Sequence, residues 1–185
     1  MALCLSDPPI WPDQTQEFFV AQGEFQVSDA PDVVLKTLLG SCVATCLFDP
    51  VARVGGMNHF LLATGPDGGT HSERYGLFAM EILINGLLKL GARKSRLRAK
   101  IFGGATMSGR MGHIGAKNCE FAISFLEIEG MPVVASSLGG GQARAIRFTP
   151  TTGRVSQLLV DDDDTGVLTQ HAPNRSLEDI QFFGK

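Results

Sequence analysis

A cysteine and a histidine separated by seventeen residues carry the clearest catalytic potential in this sequence. Cys42 follows Gly40 and Ser41, and His59 follows Asn58 inside an apolar run. A thiolate is a strong nucleophile, and a histidine that accepts the thiol proton commonly generates it. The pair predicts attack on a carbonyl carbon, with Cys42 as nucleophile and His59 as base. A purely structural role also stays open, because buried cysteine is common as a small apolar residue.

The residues before Cys42 could activate its thiol. Gly40 can adopt backbone angles that other residues avoid, so neighbouring amide N–H groups could turn toward one point. Such groups lower the pKa of a nearby thiol and bind the oxyanion that forms when an amide carbonyl is attacked. With an imidazole against the sulfur as well, this predicts that the Cys42 thiol is ionised at neutral pH.

Two strands are expected to position the pair. Residues 43–48 are small or β-compatible and stop at the turn pair Asp49-Pro50, and residues 55–62 read as the next strand. We expect these strands to form a hairpin, because a chain reversal would bring Cys42 and His59 within reach of each other. Alternation along the first strand places Cys42 on one face with three other side chains: Ala44, Cys46 and Phe48.

The remaining pattern predicts many short strands and few helices. Residues 72–90 should form one long helix that ends at Gly91, and residues 111–119 a short helix. Further strands are expected at 18–27, 33–39, 98–102, 121–128, 132–136, 145–149 and 155–160. The expected fold class is α+β: a layered β-sandwich or curved mixed sheet, with one long and one or two short helices packed outside.

The length of 185 residues favours one domain. Residues 1–17 contain three prolines and little periodicity, which indicates an irregular leader. The catalytic domain is then expected at 18–160. Four consecutive aspartates open the segment 161–185, which reads as an acidic, flexible tail.

Composition argues against several classes of function. A formal charge of -3 provides no field that would hold a polyanion, so nucleic acid is not an expected partner. The basic residues between 93 and 100 read as a solvated face. Polar residues interrupt the long helix, which argues against insertion into a membrane. No secretory leader is recognisable, so we expect the protein in the cytoplasm. No cysteine pair or histidine has the spacing of a metal site, so neither metal nor cofactor is expected.

The other histidines and the glycine clusters match no catalytic motif. His71, His113 and His171 are expected in loops or in the tail, at the surface. The pair Gly103-Gly104 and the run 139–141 fit neither common phosphate-binding pattern, so they are interpreted as tight turns near the active site.

Three stretches together resemble the signature of the CheD family of chemoreceptor glutamine deamidases. They are residues 37–44, the Asp49-Pro50 turn and residues 55–62. The likeness continues through residues 100–105 and covers roughly 20–160. Further matches lie in the second half of the chain: Ile114-Gly115, Asn118, Leu138-Gly139-Gly140 and the run 151–155.

The resemblance implies a Cys, His and Thr active site that deamidates protein-bound glutamine. The cysteine would attack the side-chain amide, release ammonia and be freed by water. Cys42 and His59 match the motif directly, and Thr37 is the one threonine in the run before the cysteine, where it could orient the imidazole. Ser41 and Asn58 are candidate substrate-binding groups, although Asn58 could equally stabilise a turn.

The resemblance also implies partners. The substrate would be the cytoplasmic helical region of methyl-accepting chemotaxis receptors, and a CheC-type phosphatase could occupy the active site. Two alternatives stay open at this point. One is a noncatalytic module that binds a receptor or phosphatase helix without turnover, and the other is a cysteine hydrolase of small amides.

Overall fold

The computed structural model of the protein describes residues 15–62, 70–106 and 112–160. Within these ranges it contains nine strands, two α-helices and a 3-10 turn at Lys94–Arg96. The strands are β1 (Gln16–Phe19), β2 (Phe25–Ser28), β3 (Val33–Leu39), β4 (Val43–Asp49), β5 (Val54–Phe60), β6 (Arg98–Gly103), β7 (Val133–Leu138), β8 (Ala143–Thr149) and β9 (Arg154–Val160). The helices are α1 (Thr70–Lys89) and α2 (Gly112–Ile128). The expected leader up to residue 14 and the expected acidic tail lie outside the described residues.

The strands form two mixed sheets that face each other. The four-stranded sheet has the order β1-β3-β8-β9, and the five-stranded sheet has the order β2-β5-β4-β6-β7. One pair in each sheet is parallel, β1 with β3 and β6 with β7, and the other pairs are antiparallel. Both helices cover the outer face of the five-stranded sheet. This layered α+β sandwich confirms the expected fold class.

Two apolar cores separate the three layers. The core between the sheets includes Leu35, Cys46, Met57, Ile146 and Phe148. The core between the five-stranded sheet and the helices includes Val43, Leu47, Met80, Leu83 and Leu126. Successive residues of β4 face the two cores in turn, and all seven are buried. The predicted alternation along this strand is therefore confirmed.

The second helix corrects one expectation. Residues 111–119 and 121–128 were expected to be a short helix and a strand, but Gly112–Ile128 is one helix of 17 residues. Its second half is rich in aromatic and β-branched residues, which favours a strand locally. Burial at Asn118, Ala122, Phe125 and Leu126 follows the helical spacing instead, so packing on the sheet overrides the local preference.

The first expected strand is also wrong. Residues 18–27 are not one strand but parts of β1 and β2, which belong to different sheets. A turn at residues 21–24 separates them, with a hydrogen bond of 3.0 Å from the Glu24 N–H to the Ala21 carbonyl. β1 begins at Gln16, inside the stretch assigned to the leader. The chain thus crosses between the two sheets close to His59.

The β4–β5 hairpin is anchored by a buried carboxylate. Asp49 accepts hydrogen bonds from the N–H groups of Val51, Ala52 and Arg93, at 2.9 to 3.0 Å, and from the Arg96 guanidinium at 2.8 Å. Burial alone would raise the pKa of this carboxyl, but Arg96 and the N–H groups outweigh it and hold that pKa well below its usual value. Arg96 is therefore a structural partner rather than part of a solvated face.

No helix in the described part of the chain is both long and apolar enough to cross a bilayer.

Candidate active site

The hairpin brings Cys42 and His59 to one face of the five-stranded sheet. His59 lies directly opposite Ala44 in the β4–β5 register, so both side chains point toward the four-stranded sheet. Cys42, two residues before Ala44, is half-buried and packs against the core between the sheets. The two are diagonal neighbours, a relation that separates residues by about 7 to 8 Å and leaves long side chains within reach of each other. The expected hairpin is confirmed.

The thiol and the imidazole are not hydrogen-bonded to each other in this arrangement. Cys42 Sγ donates to Oε1 of Gln22 at 3.3 Å. Nε2 of His59 is buried and has no hydrogen-bond partner among the described residues. In this arrangement the thiol proton is therefore directed to Gln22 and not to Nε2 of His59.

Thr37 holds the other nitrogen of the imidazole. It lies on β3 of the four-stranded sheet, almost fully buried, and its Oγ1 is 2.8 Å from Nδ1 of His59. The hydroxyl also donates to the Val20 carbonyl at 2.8 Å. Because the hydroxyl has a single proton, Oγ1 accepts from Nδ1–H of the ring. This tautomer leaves Nε2 unprotonated and available as a base.

Both members of the pair are neutral at rest. Burial lowers the pKa of the His59 imidazole, and the hydrogen bond to the Val20 carbonyl offsets part of that effect. Burial raises the pKa of the Cys42 thiol to about 11. This shift opposes the expected thiolate at neutral pH, which stays a prediction. The two shifts together favour a thiol and a neutral base.

The backbone around Cys42 is fixed by the loop that follows β6. Gly104 N–H donates to the Cys42 carbonyl at 2.7 Å, and Ala105 N–H donates to the Gly40 carbonyl at 2.8 Å. Gly103 has a φ of +115°, and a Cβ there would collide with the Cys42 carbonyl oxygen. The conformational freedom that we attributed to Gly40 is needed at Gly103, because Gly40 is not among the described residues with a positive φ.

Asn118 connects the segment that carries Cys42 to the segment that follows the strand of His59. This fully buried side chain of α2 accepts a hydrogen bond from Leu62 N–H and donates one to the Ser41 carbonyl, each at 2.8 Å. It thereby joins the residue before Cys42 to the chain just after β5. The resemblance includes Asn118, but its role was not predicted from the sequence. The sequence signal that could have indicated this role is that Asn118 is a polar residue among the apolar positions of its helix.

Curated relatives support the assignment of this site to a family. The protein described as "Probable chemoreceptor glutamine deamidase CheD" of Rhizobium johnstonii is 49% identical over 177 residues, which cover 89% of this chain and 94% of the relative. The protein of the same description from Rhizobium meliloti is 52% identical over 176 residues, with the same two coverages. An alignment of that extent must span residues 37–59. The chain belongs to the CheD family.

The CheD family model, described as CheD chemotactic sensory transduction, matches residues 62–157. This range begins just beyond His59, so the arrangement of Thr37, Cys42 and His59 is supported by the geometry rather than by that match. Among solved structures, the hypothetical protein YfiH of Bacillus licheniformis aligns with a TM-score of 0.43 at 15% identity, covering 67% of this chain and 60% of that chain. That similarity is too low to support an argument about this CheD chain.

Ser41 and Asn58, the two expected substrate-binding residues, have different positions in this CheD chain. Ser41 is half-buried beside Cys42, and its role in substrate binding stays a prediction. Asn58 points to the opposite face from His59, where its amide accepts from Thr45 N–H at 3.0 Å and donates to the Ala79 carbonyl at 2.9 Å. Its expected role at the substrate is wrong, because the buried amide ties the hairpin to α1.

Arg144 is a second group of the CheD site that sequence reasoning missed. Its buried guanidinium donates to the carbonyls of Gly103 and Gly139, the former at 2.8 Å. Gly139 N–H in turn donates to the Gly103 carbonyl at 2.9 Å, and both Gly139 and Gly140 have positive φ. The interpretation as a tight turn is confirmed for the run 139–141, which contains a bend between β7 and β8, but Gly103 is the last residue of β6 and Gly104 follows it outside any turn. Nothing in the local sequence distinguished Arg144 from a surface arginine.

The other histidines, where the structure describes them, add no further site. His113 is exposed in the first turn of α2, on the surface as expected but not in a loop. His71 falls within α1, its side chain is not described, and His171 lies outside the described residues. No group of three or more His, Cys, Asp or Glu side chains in the described ranges is placed to hold a metal ion.

Proposed function

We propose that this chain is a cytoplasmic cysteine hydrolase that converts glutamine side chains of methyl-accepting chemotaxis receptors to glutamate, with release of ammonia. The names of the CheD relatives support the reaction and the substrate class. The observation that carries the assignment to residues is the Thr37 hydroxyl on Nδ1 of His59, which leaves Nε2 free on the face that carries Cys42.

The first half-reaction forms a thioester. The Cys42 thiol turns from Gln22 toward His59, and Nε2 takes its proton as Sγ bonds to the carbonyl carbon of the substrate amide. The imidazolium then returns that proton to the amide nitrogen. The carbon–nitrogen bond breaks, and ammonia leaves the acyl-enzyme.

The second half-reaction restores the thiol. Water enters the place of ammonia and transfers a proton to Nε2 while its oxygen attacks the thioester carbonyl. The carbon–sulfur bond breaks, glutamate is released and the sulfur recovers the proton from His59. Thr37 and the Val20 carbonyl hold Nδ1–H throughout, which keeps the ring in one orientation. The cycle uses the thiol, the imidazole and water, and we propose no cofactor for it.

Partners of the proposed deamidase follow from the family. The receptor's helical cytoplasmic region is the proposed protein substrate, and a CheC-type phosphatase is a proposed regulatory partner. Nucleic acid and membrane insertion have no part in this proposal.

The proposal is tested by incubating the purified protein with a cytoplasmic receptor fragment and following glutamine-containing peptides by mass spectrometry. Wild type should add about one mass unit at each converted glutamine, since deamidation by a thiol replaces NH2 with OH. Cys42→Ala should abolish the change, whereas Cys119→Ala, which removes another half-buried thiol, should retain it.

Three outcomes distinguish the alternatives. Deamidation that persists in Cys42→Ala would contradict the nucleophile assignment. Binding of the fragment by wild type without any mass change would identify a noncatalytic module. Turnover of free glutamine with no change in the fragment would identify a hydrolase of small amides.

A further inference from the structure

One contact in the site joins the proposed nucleophile to a glutamine of the same chain. Cys42 Sγ donates its hydrogen bond to Oε1 of Gln22 at 3.3 Å, and the two residues are 20 positions apart in the sequence. A glutamine carboxamide is also the chemical group that the proposed reaction consumes. The contact therefore places a substrate-like group of the protein itself at the sulfur.

The backbone of Gln22 is held in place relative to the base. Gln22 lies in the turn at residues 21–24, where Gly23 has a φ of +89° and the Glu24 carboxylate accepts from Ala21 N–H at 3.0 Å. Gly23 N–H donates to the His59 carbonyl at 2.7 Å, and His59 N–H donates to the Glu24 carbonyl at 3.0 Å. The turn is therefore fixed to β5, while the Gln22 side chain itself is exposed and can swing away.

We propose that Gln22 is a built-in stand-in for the substrate, whose carboxamide occupies the substrate amide's place at Cys42 until a receptor glutamine displaces it. This inference rests on the proposed function, because it takes Cys42 as the nucleophile. It adds an internal competitor to that function.

The geometry explains why the stand-in is not itself consumed. The thiol proton is directed to the carbonyl oxygen of Gln22, whereas attack requires that proton on Nε2 of His59 and the sulfur at the carbonyl carbon. Nε2 has no partner among the described residues in this state. The contact keeps the thiol turned from its base, and burial independently raises the pKa of Cys42, which favours the protonated thiol.

A tethered competitor lowers the apparent affinity for substrate in proportion to the fraction of molecules in which the site is free. A single side-chain hydrogen bond of this kind favours the occupied over the free site by about 2- to 10-fold. Removal of the Gln22 carboxamide should lower KM by that factor and leave kcat unchanged. The freed thiol should also react faster with small alkylating agents.

The experiment compares Gln22→Ala and Gln22→Asn, whose carboxamide is one methylene shorter, with Gln26→Ala as a control. Gln26 is an exposed glutamine of β2 beyond the same turn. Alkylation of Cys42 by iodoacetamide is followed by peptide mass spectrometry, and KM and kcat are measured on a receptor fragment. Both Gln22 variants should alkylate about 2- to 10-fold faster and show a KM lower by a similar factor, and Gln26→Ala should match wild type.

Several results would overturn the inference. If wild type deamidates the fragment but Gln22→Ala changes neither alkylation nor KM, Gln22 does not occupy the site. If Gln22→Ala loses kcat, Gln22 belongs to the catalytic machinery. If position 22 becomes glutamate in wild type but not in Cys42→Ala, it is a self-substrate. Absence of deamidation by wild type would instead contradict the proposed function, and the alkylation rates would still test the stand-in.

Discussion

Thr37 gives His59 a neutral partner where many cysteine and serine hydrolases use a charged one. Its hydroxyl fixes the tautomer and orientation of the ring through Nδ1, but it brings no negative charge to stabilise an imidazolium. The Val20 carbonyl, 3.3 Å from Nδ1, supplies only a dipole. Since burial also disfavours the charged ring, the lowered pKa of His59 favours a neutral imidazole before the proposed proton transfer from the thiol.

The Thr37 contact predicts a specific pair of variants. Thr37→Val keeps the shape but removes the hydroxyl, so the ring loses its orienting partner. We expect kcat to fall about tenfold or more, but by less than the roughly 100- to 10,000-fold that loss of the general base itself would cause. Thr37→Ser should retain most activity because it restores the hydroxyl. Equal activity in all three proteins, measured by receptor deamidation, would exclude an orienting role.

The pKa of Cys42 predicts the pH dependence of its alkylation. Because folding raises this pKa to about 11, the thiol is protonated at neutral pH and the thiolate fraction rises with pH up to that value. Peptide-resolved iodoacetamide labelling of the free protein should therefore accelerate about tenfold per pH unit from 7 to 10. A plateau of high reactivity between about pH 6 and 8 would instead indicate a thiolate–imidazolium pair.

At the scale of elements, the Asn118 side chain links α2 to the site. Asn118 is on the buried face of the helix and satisfies two backbone groups from separate segments, Ser41 and Leu62. The helix thus does more than cover the sheet. It sets the distance between the turn that presents Cys42 and the end of the strand that presents His59.

Replacement of Asn118 should affect both stability and catalysis. Asn118→Ala leaves the Ser41 carbonyl and the Leu62 N–H buried without a partner, which we expect to cost about 2 to 4 kcal/mol. Urea unfolding measures that loss, and deamidation assayed well below the melting temperature should show a lower kcat. Lys117→Ala, on the exposed face of the same helix, is the control and should change neither. Unchanged kcat in folded Asn118→Ala would show that the bond is only structural.

The predictability of these elements from sequence depended on the range of the interactions. The β4–β5 hairpin was predictable because strand alternation and the Asp49-Pro50 turn are local signals. The second half of α2 was not, because its β-favouring residues become helical only through packing on the sheet. The contacts of Gln22 and Asn118 span 20 and 77 residues, and no local pattern encodes them.

At the scale of the whole molecule, the site spans the two sheets. His59 lies on β5 of the five-stranded sheet and Cys42 directly precedes β4 of that sheet, whereas Thr37 comes from β3 of the four-stranded sheet. The distance between the two sheets therefore fixes the contact between hydroxyl and imidazole. The core between the sheets sets that distance. The core between the five-stranded sheet and the helices lies on the other side of the five-stranded sheet and does not separate the two sheets.

This division predicts different effects for two equally buried aliphatic residues. Ile146 lies directly opposite Thr37 in the four-stranded sheet, and Leu83 lies on the buried face of α1. Ile146→Ala and Leu83→Ala should each cost about 2 to 5 kcal/mol by denaturant unfolding. At a temperature where both remain folded, we expect a lower kcat in Ile146→Ala and a kcat near wild type in Leu83→Ala. The same kcat in both variants would contradict the role of the inter-sheet core.

The burial of β4 and β5 on both faces also limits how this protein can move. Amides of such central strands usually exchange with solvent only when the entire domain opens, so the peptide groups on either side of His59 should be among the slowest to exchange. In the proposed cycle, rearrangement is then left to side-chain rotations at Cys42 and Gln22, of which the exposed Gln22 should rotate in nanoseconds or less. On heating, catalytic competence and native structure should accordingly disappear in a single transition.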